Sequence, residues 1–389
     1  MSTAQDLYDC IVIGAGVQGS FTAYSLAKRG KKTLLLEQFI LPHSRGSSHG
    51  QSRIIRKAYE EDFYVHMMDE CYRLWKELEQ EAGVSLYRQT GLLLMGPENS
   101  AYFSQTRETL LRSGTPTVSI SQEDFSSHIP HMLLAPGDGA IVDVTAGVLF
   151  ADRALKTAQD QFKKLGGVLR DQEKVEDITP GSVVTVTTAS GSYRARSVVI
   201  TVGAWANRVL ASTGLQLPLE VIKINVCYWK EKTPGSYHVR NRFPCFLLTE
   251  GEEAQEHIYG LPSNEYPGLV KICFHNGSPT DPDQRDRQTD RSDVDILSRF
   301  VSRCVPGLEP EPAIVESCMY TMTPDRHFVL DVHPQHRNIV IGAGFSGHGF
   351  KFGPIVGQLL CELSLGEVPT FDLSPFRIRR FQGQSRSAL

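Results

Sequence analysis

Apolar stretches that run into glycine recur along this chain. Residues 9–13, DCIVI, are apolar and β-branched around a small cysteine, as expected of a strand buried in a parallel sheet. The runs at 197–202 and 338–341 have the same character. After the first run the period lengthens, and VQGSFTAYSLAKR predicts a helix that Gly30 stops. A strand follows over Thr33–Leu36 and ends on Glu37. The third run leads through glycines into a helix expected to continue through Ile355 to Leu363. Segments 222–229 and 270–274 predict strands of an antiparallel sheet, and the polar, proline-containing segment 278–292 predicts a surface loop.

The hexapeptide IVIGAG occurs twice, at 11–16 and 339–344, and both copies complete the spacing G-x-G-x-x-G. In the first copy Gly14 suits a tight turn, Gly16 lets backbone approach a pyrophosphate, and Gly19 lets helix and strand pack closely. The helix start supplies free N–H groups and positive dipole for phosphates. Glu37 is placed to accept hydrogen bonds from ribose hydroxyls and would repel a 2′-phosphate. Strand, helix, strand and acid in register predict a bound dinucleotide, with FAD and NAD both open at this point. The second copy, Gly342, Gly344 and Gly347, is followed by Gly366 and Pro369 and by no apolar strand ending on an acid. It predicts not a second nucleotide site but a helix N-terminus aimed at another part of the same ligand, such as the negative end of a reduced flavin.

Charge and cysteine usage narrow the function further. Of 389 residues, 40 are Lys or Arg and 44 are Asp or Glu, a net charge of −4 that gives no basic face for nucleic acid. No apolar run reaches the roughly 18–20 residues of a membrane span, and no signal peptide is expected. Eight scattered cysteines without a C-x-x-C pair argue against a disulfide framework and structural zinc. His128 and His131 flank a proline, and His327, His333 and His336 fit no ligand spacing, so no metal is expected. The chain ends Ser387-Ala388-Leu389, which departs from the peroxisomal address S-K-L in its middle residue.

Five stretches carry a resemblance: DCIVIGAGVQG, PHSRGSSHGQSRIIRKAY, TVGAW, ESCMYTMTPDRHFVLDVHP and IVIGAGFSGHGFKFGP. Together the chain resembles the monomeric sarcosine oxidase family of flavin amine oxidases, its animal peroxisomal branch in particular. The resemblance implies an α/β fold (α+β overall), with a Rossmann-like FAD-binding domain and a second, mixed or antiparallel-sheet substrate domain, like glutathione reductase and D-amino acid oxidase. Cofactor motifs at the beginning, middle and end of the chain then imply a discontinuous FAD-binding domain of 1–85, 146–220 and 318–389. The substrate domain would be 86–145 and 221–317.

By the same resemblance FAD is held covalently, with Cys318 sulfur on the 8α-methyl of the flavin. Arg56 and Lys351 hold the substrate carboxylate, and Tyr259, His275 and Tyr320 line the substrate pocket. Arg53 and His49 lie against the flavin, and Ser52 stands where a bacterial relative has threonine. Lys271 promotes reaction with O2, although its position in PGLVKICFH also permits a solvent-facing strand lysine. The implied activity is oxidation of small secondary amino acids (sarcosine, L-pipecolate, L-proline) to imines, with O2 reduced to hydrogen peroxide. A flavin dehydrogenase that passes electrons to a carrier is the alternative. The implied partners are the amino acid substrate, O2 and a peroxisomal import receptor that reads the SAL terminus. A monomer in the peroxisome is expected, with no nucleic acid or membrane partner.

Overall fold

The computed structural model describes residues 7–241, 243–249 and 257–381. The C-terminal tripeptide 387–389 lies outside the described residues. Among them the strands form an eight-stranded sheet, a nine-stranded sheet and a small three-stranded one. No described helix is long and apolar enough to cross a membrane.

The strand Leu7–Ile13 lies inside the first sheet, parallel to Thr33–Leu36 on one side and to Gly191–Ile200 on the other. Ile339–Ala343 continues the parallel pairing beyond Gly191–Ile200. These are the apolar runs expected from the sequence, and their lack of polar alternation has a direct cause. Cys10, Val12, Leu35, Val199 and Val340 pack on one face, with Phe21, Ala158 and Leu359 of the covering helices. Ile11, Ile13, Leu34, Val198 and Ile341 pack on the opposite face. With both faces dry, every position of the strand must be apolar.

The second sheet is built on a long antiparallel pair, Glu220–Glu231 with Leu308–Met322. Leu269–Phe274 pairs antiparallel with Glu220–Glu231, placing Tyr228 opposite Lys271. All of Leu308–Met322 belongs to this sheet, so the boundary expected at 317/318 falls inside a strand, and Cys318 is carried by the second sheet.

Two expectations are corrected. Segment 278–292 is not simply a surface loop: Ser278–Pro279 pairs with Glu220–Glu231, and Arg285 is buried. Arg285 Nη1 donates to the carbonyls of Ser44 (2.7 Å) and Arg45 (3.1 Å), while Arg45 Nη1 reaches Asp286 at 2.6 Å. Bare loop carbonyls need donors, and this polar segment supplies them. The helix after the second IVIGAG starts at Gly353, six residues later than Gly347. Gly344 (φ +61°), Ser346 (+45°) and Gly347 (+78°) hold left-handed backbone, which an α-helix cannot use, and Pro354 then opens the helix.

Candidate active site

One cavity of about 1580 Å³ is lined by residues of all three sheets and their connecting loops. That exceeds the roughly 300–1,000 Å³ usual for one small ligand, so it has room for a dinucleotide and a substrate together.

One end is the turn after Leu7–Ile13. Gly14, Gly16 and Glu37 all line the cavity. Glu37 is buried, and its carboxylate accepts from the N–H groups of Ala15 (2.9 Å) and Phe39 (3.0 Å). The carboxylate is thereby fixed to the glycine turn itself. Ser48 Oγ accepts from Val17 N–H at 3.0 Å and so caps the helix Val17–Lys28. Gly19 does not line the cavity. A Cβ there would stand 1.9 Å from the Gly14 carbonyl oxygen, so this glycine serves the close packing of helix and strand.

Further along, Cys318, Ser52, Arg53, His49 and Lys271 face the same space. Lys271 does not point to solvent. It is buried in a strand whose central residues are all buried, and Nζ donates to Glu265 Oε1 at 2.8 Å. Burial alone would raise the Glu265 carboxyl, but the Lys271 charge and bonds from Lys271, Ser52 and Tyr228 hold it down to about 2. Arg53 spends its fork on carbonyls, with Nη1 on Ser52 (2.8 Å) and Nη2 on Ser47 (2.9 Å) and His49 (2.6 Å). It therefore shapes the loop before Ser52–Ile55. His49 Nε2 is buried without a partner. Burial, then the Arg53 and Arg285 charges, lowers this imidazole to about 3, so it is neutral at pH 7.

At the other end stand two cations. The Arg56 guanidinium lies 4.1 Å from the centre of the Tyr59 ring, and its Nη1 is buried with no hydrogen-bond partner. Lys351 is buried and donates to Tyr59 Oη and the His348 carbonyl, both at 2.9 Å. Its own carbonyl is held by Trp75 Nε1 at 2.9 Å. Burial, then the Arg56 charge, pushes the Lys351 ammonium well below the ordinary lysine value. Among the described residues neither cation forms a salt bridge. Tyr259 and Tyr320 face each other with hydroxyls 3.1 Å apart, and His275 packs against both rings. Gly347 lies beneath them, since a Cβ there would stand 2.5 Å from Tyr320 and 2.7 Å from His275.

The helix N-terminus expected from the second glycine motif is absent from the cavity wall; the loop from Phe345 to Lys351 lines it instead. Gly342 packs toward Leu360 and Gly344 toward Thr323, and neither lines the cavity. Sequence reasoning missed Glu265, Tyr228, Tyr59 and Ser48. For Glu265 a signal existed: a lysine inside an apolar run requires a counter-charge nearby.

The residues present fit FAD on two observations. Gly14 and Gly16 present bare backbone to the cavity beside the fixed Glu37, and Arg56 Nη1 and His49 Nε2 are buried polar atoms whose partners must come from a ligand or water.

Comparison with known proteins agrees. Residues 9–363 match the family described as FAD dependent oxidoreductase. The chain is 53% identical to peroxisomal sarcosine oxidase of Homo sapiens over the full length of both. It is 36% identical to monomeric sarcosine oxidase of Bacillus sp. over 96% of each chain. The structure of NikD, an unusual amino acid oxidase essential for nikkomycin biosynthesis, superposes with a TM-score of 0.83 at 24% identity, covering 96% of this chain and 98% of that one. The chain belongs to the FAD-dependent oxidoreductases, within the sarcosine oxidase family.

Proposed function

We propose that this protein oxidises small secondary amino acids, such as sarcosine, L-pipecolate and L-proline, with O2 as acceptor. The observation that carries this reading is the unpartnered Arg56 Nη1 beside buried Lys351, in the cavity that also holds the Glu37 cradle. A carboxylate between these cations would satisfy both, and arginine's fork suits it. Bound FAD supplies the acceptor for the two electrons of the C–N bond and their route to O2. Two electrons and two protons leave the C–N unit and end on O2 as hydrogen peroxide, and water hydrolyses the imine. Gly14, Gly16, Glu37 and Ser52 are assigned to holding the cofactor. Tyr259, Tyr320 and His275 form the wall that excludes water from the substrate. Arg53 and His49 order the loop at the cofactor, with His49 in its neutral form. Lys271 is assigned to stabilising the negative charge that develops on O2. A single chain supplies the whole cavity, which fits action as a monomer.

A peroxide assay across N-methyl and cyclic amino acids tests the activity. Peroxide should form in step with substrate loss; substrate-driven flavin reduction without peroxide would favour the dehydrogenase instead. In the same preparation Lys271→Met should slow reoxidation by O2 by on the order of 10²-fold while sparing reduction; equal effects on both would remove its assigned role.

Carboxylate binding is read with acetate, by perturbation of the flavin spectrum. Arg56→Ala should weaken it roughly 10- to 100-fold, from the ~1.5–3 kcal/mol of a charge-assisted hydrogen bond. In the wild type a bound carboxylate favours the Lys351 ammonium, whose value in the free site is depressed. Affinity is therefore full below that depressed value and falls as pH rises through it. A rise in affinity with pH would contradict this.

We further assign the covalent flavin link to Cys318, a buried cysteine on the cavity wall. Acid-precipitated wild type should stay yellow, and Cys318→Ala should release its flavin; a colourless wild-type precipitate refutes the link. We also assign a peroxisomal location, supported by the name of the full-length human relative, and a receptor that reads Ser387-Ala388-Leu389 as its route. An N-terminal fluorescent fusion should lose its peroxisomal pattern when these three residues are deleted, and an unchanged pattern would dismiss the address.

A further inference from the structure

The Lys271–Glu265 pair is the only ion pair among the described residues with both side chains under 10% exposed, at 8% and 5%. Glu265 lies in the turn SNEYPG, whose composition suggests solvent. Instead both carboxylate oxygens are filled. Oε1 accepts from Lys271 Nζ and the Ser52 hydroxyl, and Oε2 from the Tyr228 hydroxyl (2.8 Å) and Gln51 N–H (3.4 Å). Lys271 Nζ also lies 3.4 Å from Ser52 Oγ and 5.5 Å from the Tyr228 ring centre.

We propose that Glu265 is the positioning residue for Lys271: it keeps the ammonium charged and fixed beside Ser52, so that the cation stays available to the oxygen-reducing half of the reaction as pH changes. The inference rests on the oxidase reading, in which Lys271 serves O2. A lysine this deeply buried loses its proton readily when nothing opposes the desolvation cost, and buried lysines can fall several units below their ordinary value. Glu265 opposes that cost, but its negative charge also weakens the field that Lys271 projects. The field-weakening effect shows at the acid end, where the lysine is charged either way, and the charge-holding effect only at the alkaline end, which separates them.

The other titratable groups around the pair are few. Tyr228 from the neighbouring strand and Cys273 from the same strand are both raised by burial and stay neutral. His49, from the loop before Ser52, is neutral as described. Glu316 meets the pair through the Tyr228 hydroxyl, at 3.3 Å, and through Tyr266, which follows Glu265, packs edge-on against Tyr228, donates to Glu316, and is raised and neutral over the tested range. Arg53 adjoins Ser52 and carries a permanent charge.

The test follows flavin reoxidation by stopped flow from about pH 6 to about pH 9, a window that lies below the ordinary lysine value and brackets one lowered by roughly two to three units. Wild type and Glu265→Asp should give flat profiles. Glu265→Gln should be no slower than wild type at the acid end and about 10-fold slower at the alkaline end, roughly the loss of charged lysine one pH unit above its value. A Glu265→Gln profile parallel to wild type, or slowed equally at every pH, overturns the proposal. If Lys271→Met reoxidises normally, the oxygen role of Lys271 falls and the proposal with it. If Lys271→Met is slow and Glu265→Gln stays flat, only the proposal about Glu265 falls. Thermal unfolding of the holoenzyme supplies a readout independent of turnover. Glu265→Gln should lower Tm more than the double variant Glu265→Gln/Lys271→Met, because the single change strands a buried cation. If Glu265→Gln fails to fold while the double variant folds, the pairing is supported; a double variant no more stable than the single one overturns it.

Discussion

Buried positive charge is the constraint on which this structure turns. Of the cationic side chains that line the cavity, four are shielded from solvent: Lys271 and Lys351 are buried, and Arg53 and Arg56 are half-buried. Taking a charge out of water is costly unless it is paired and hydrogen-bonded. Each of the four meets that cost differently. Arg53 is absorbed by three loop carbonyls. Lys271 is matched by a full carboxylate. Lys351 has only a phenol and a carbonyl, and its ammonium is depressed accordingly. Arg56 has an aromatic ring and one nitrogen with nothing to bond. The first two are satisfied within the chain. The last two are complete only when something negative arrives.

The rest of the architecture can be understood as holding that arrangement dry. The parallel sheet, buried on both faces, carries the glycine turn and Glu37. The long antiparallel pair of the second sheet carries Cys318 and Tyr320 on one strand, with Tyr228 on the other, opposite Lys271. Arg285 and Asp286 then tie the 278–292 segment to the loop at Ser44 and Arg45, which borders the cavity. None of these contacts is strong alone, since exposed ion pairs such as Arg45–Asp286 contribute little. Their effect is to fix where loops end, and so where charges sit.

What could be read in the sequence divides along physical lines. The first glycine unit was legible because every signal in it is local: a β-branched run, three glycines, a helical period, then a strand ending on Glu37. The second IVIGAG shares the same six letters, yet its helix waits until Gly353, because three left-handed residues within four positions, Gly344, Ser346 and Gly347, exclude helix geometry. Nothing in a six-letter motif encodes that; it follows from how Gly347 must pass beneath Tyr320 and His275. The positions of Arg56, Lys351 and Lys271 came from family resemblance rather than from pattern, and the structure gathers them around one cavity. Glu265 escaped because proline, glycine and asparagine around it are the marks of an exposed turn, whereas its burial is decided by a lysine on the following strand.

The unequal treatment of the cations also orients the ligand. Beside Lys271 the Glu265 carboxylate already supplies a fixed counter-charge, so a substrate carboxylate gains less there than beside cations with no acid partner. Around Arg56 and Lys351 the described residues place phenols and neutral imidazoles, and no acid is paired with either cation. An amino acid entering this cavity thus lowers its electrostatic energy most by turning its carboxylate toward Arg56 and Lys351 and away from Glu265. Under the oxidase reading, that one preference separates the two ends of the chemistry: substrate is anchored where positive charge is unmatched, and oxygen is met where positive charge is held in check. Exchanging the two solutions, with a carboxylate beside Arg56 and none beside Lys271, would keep the same total charge and lose the direction.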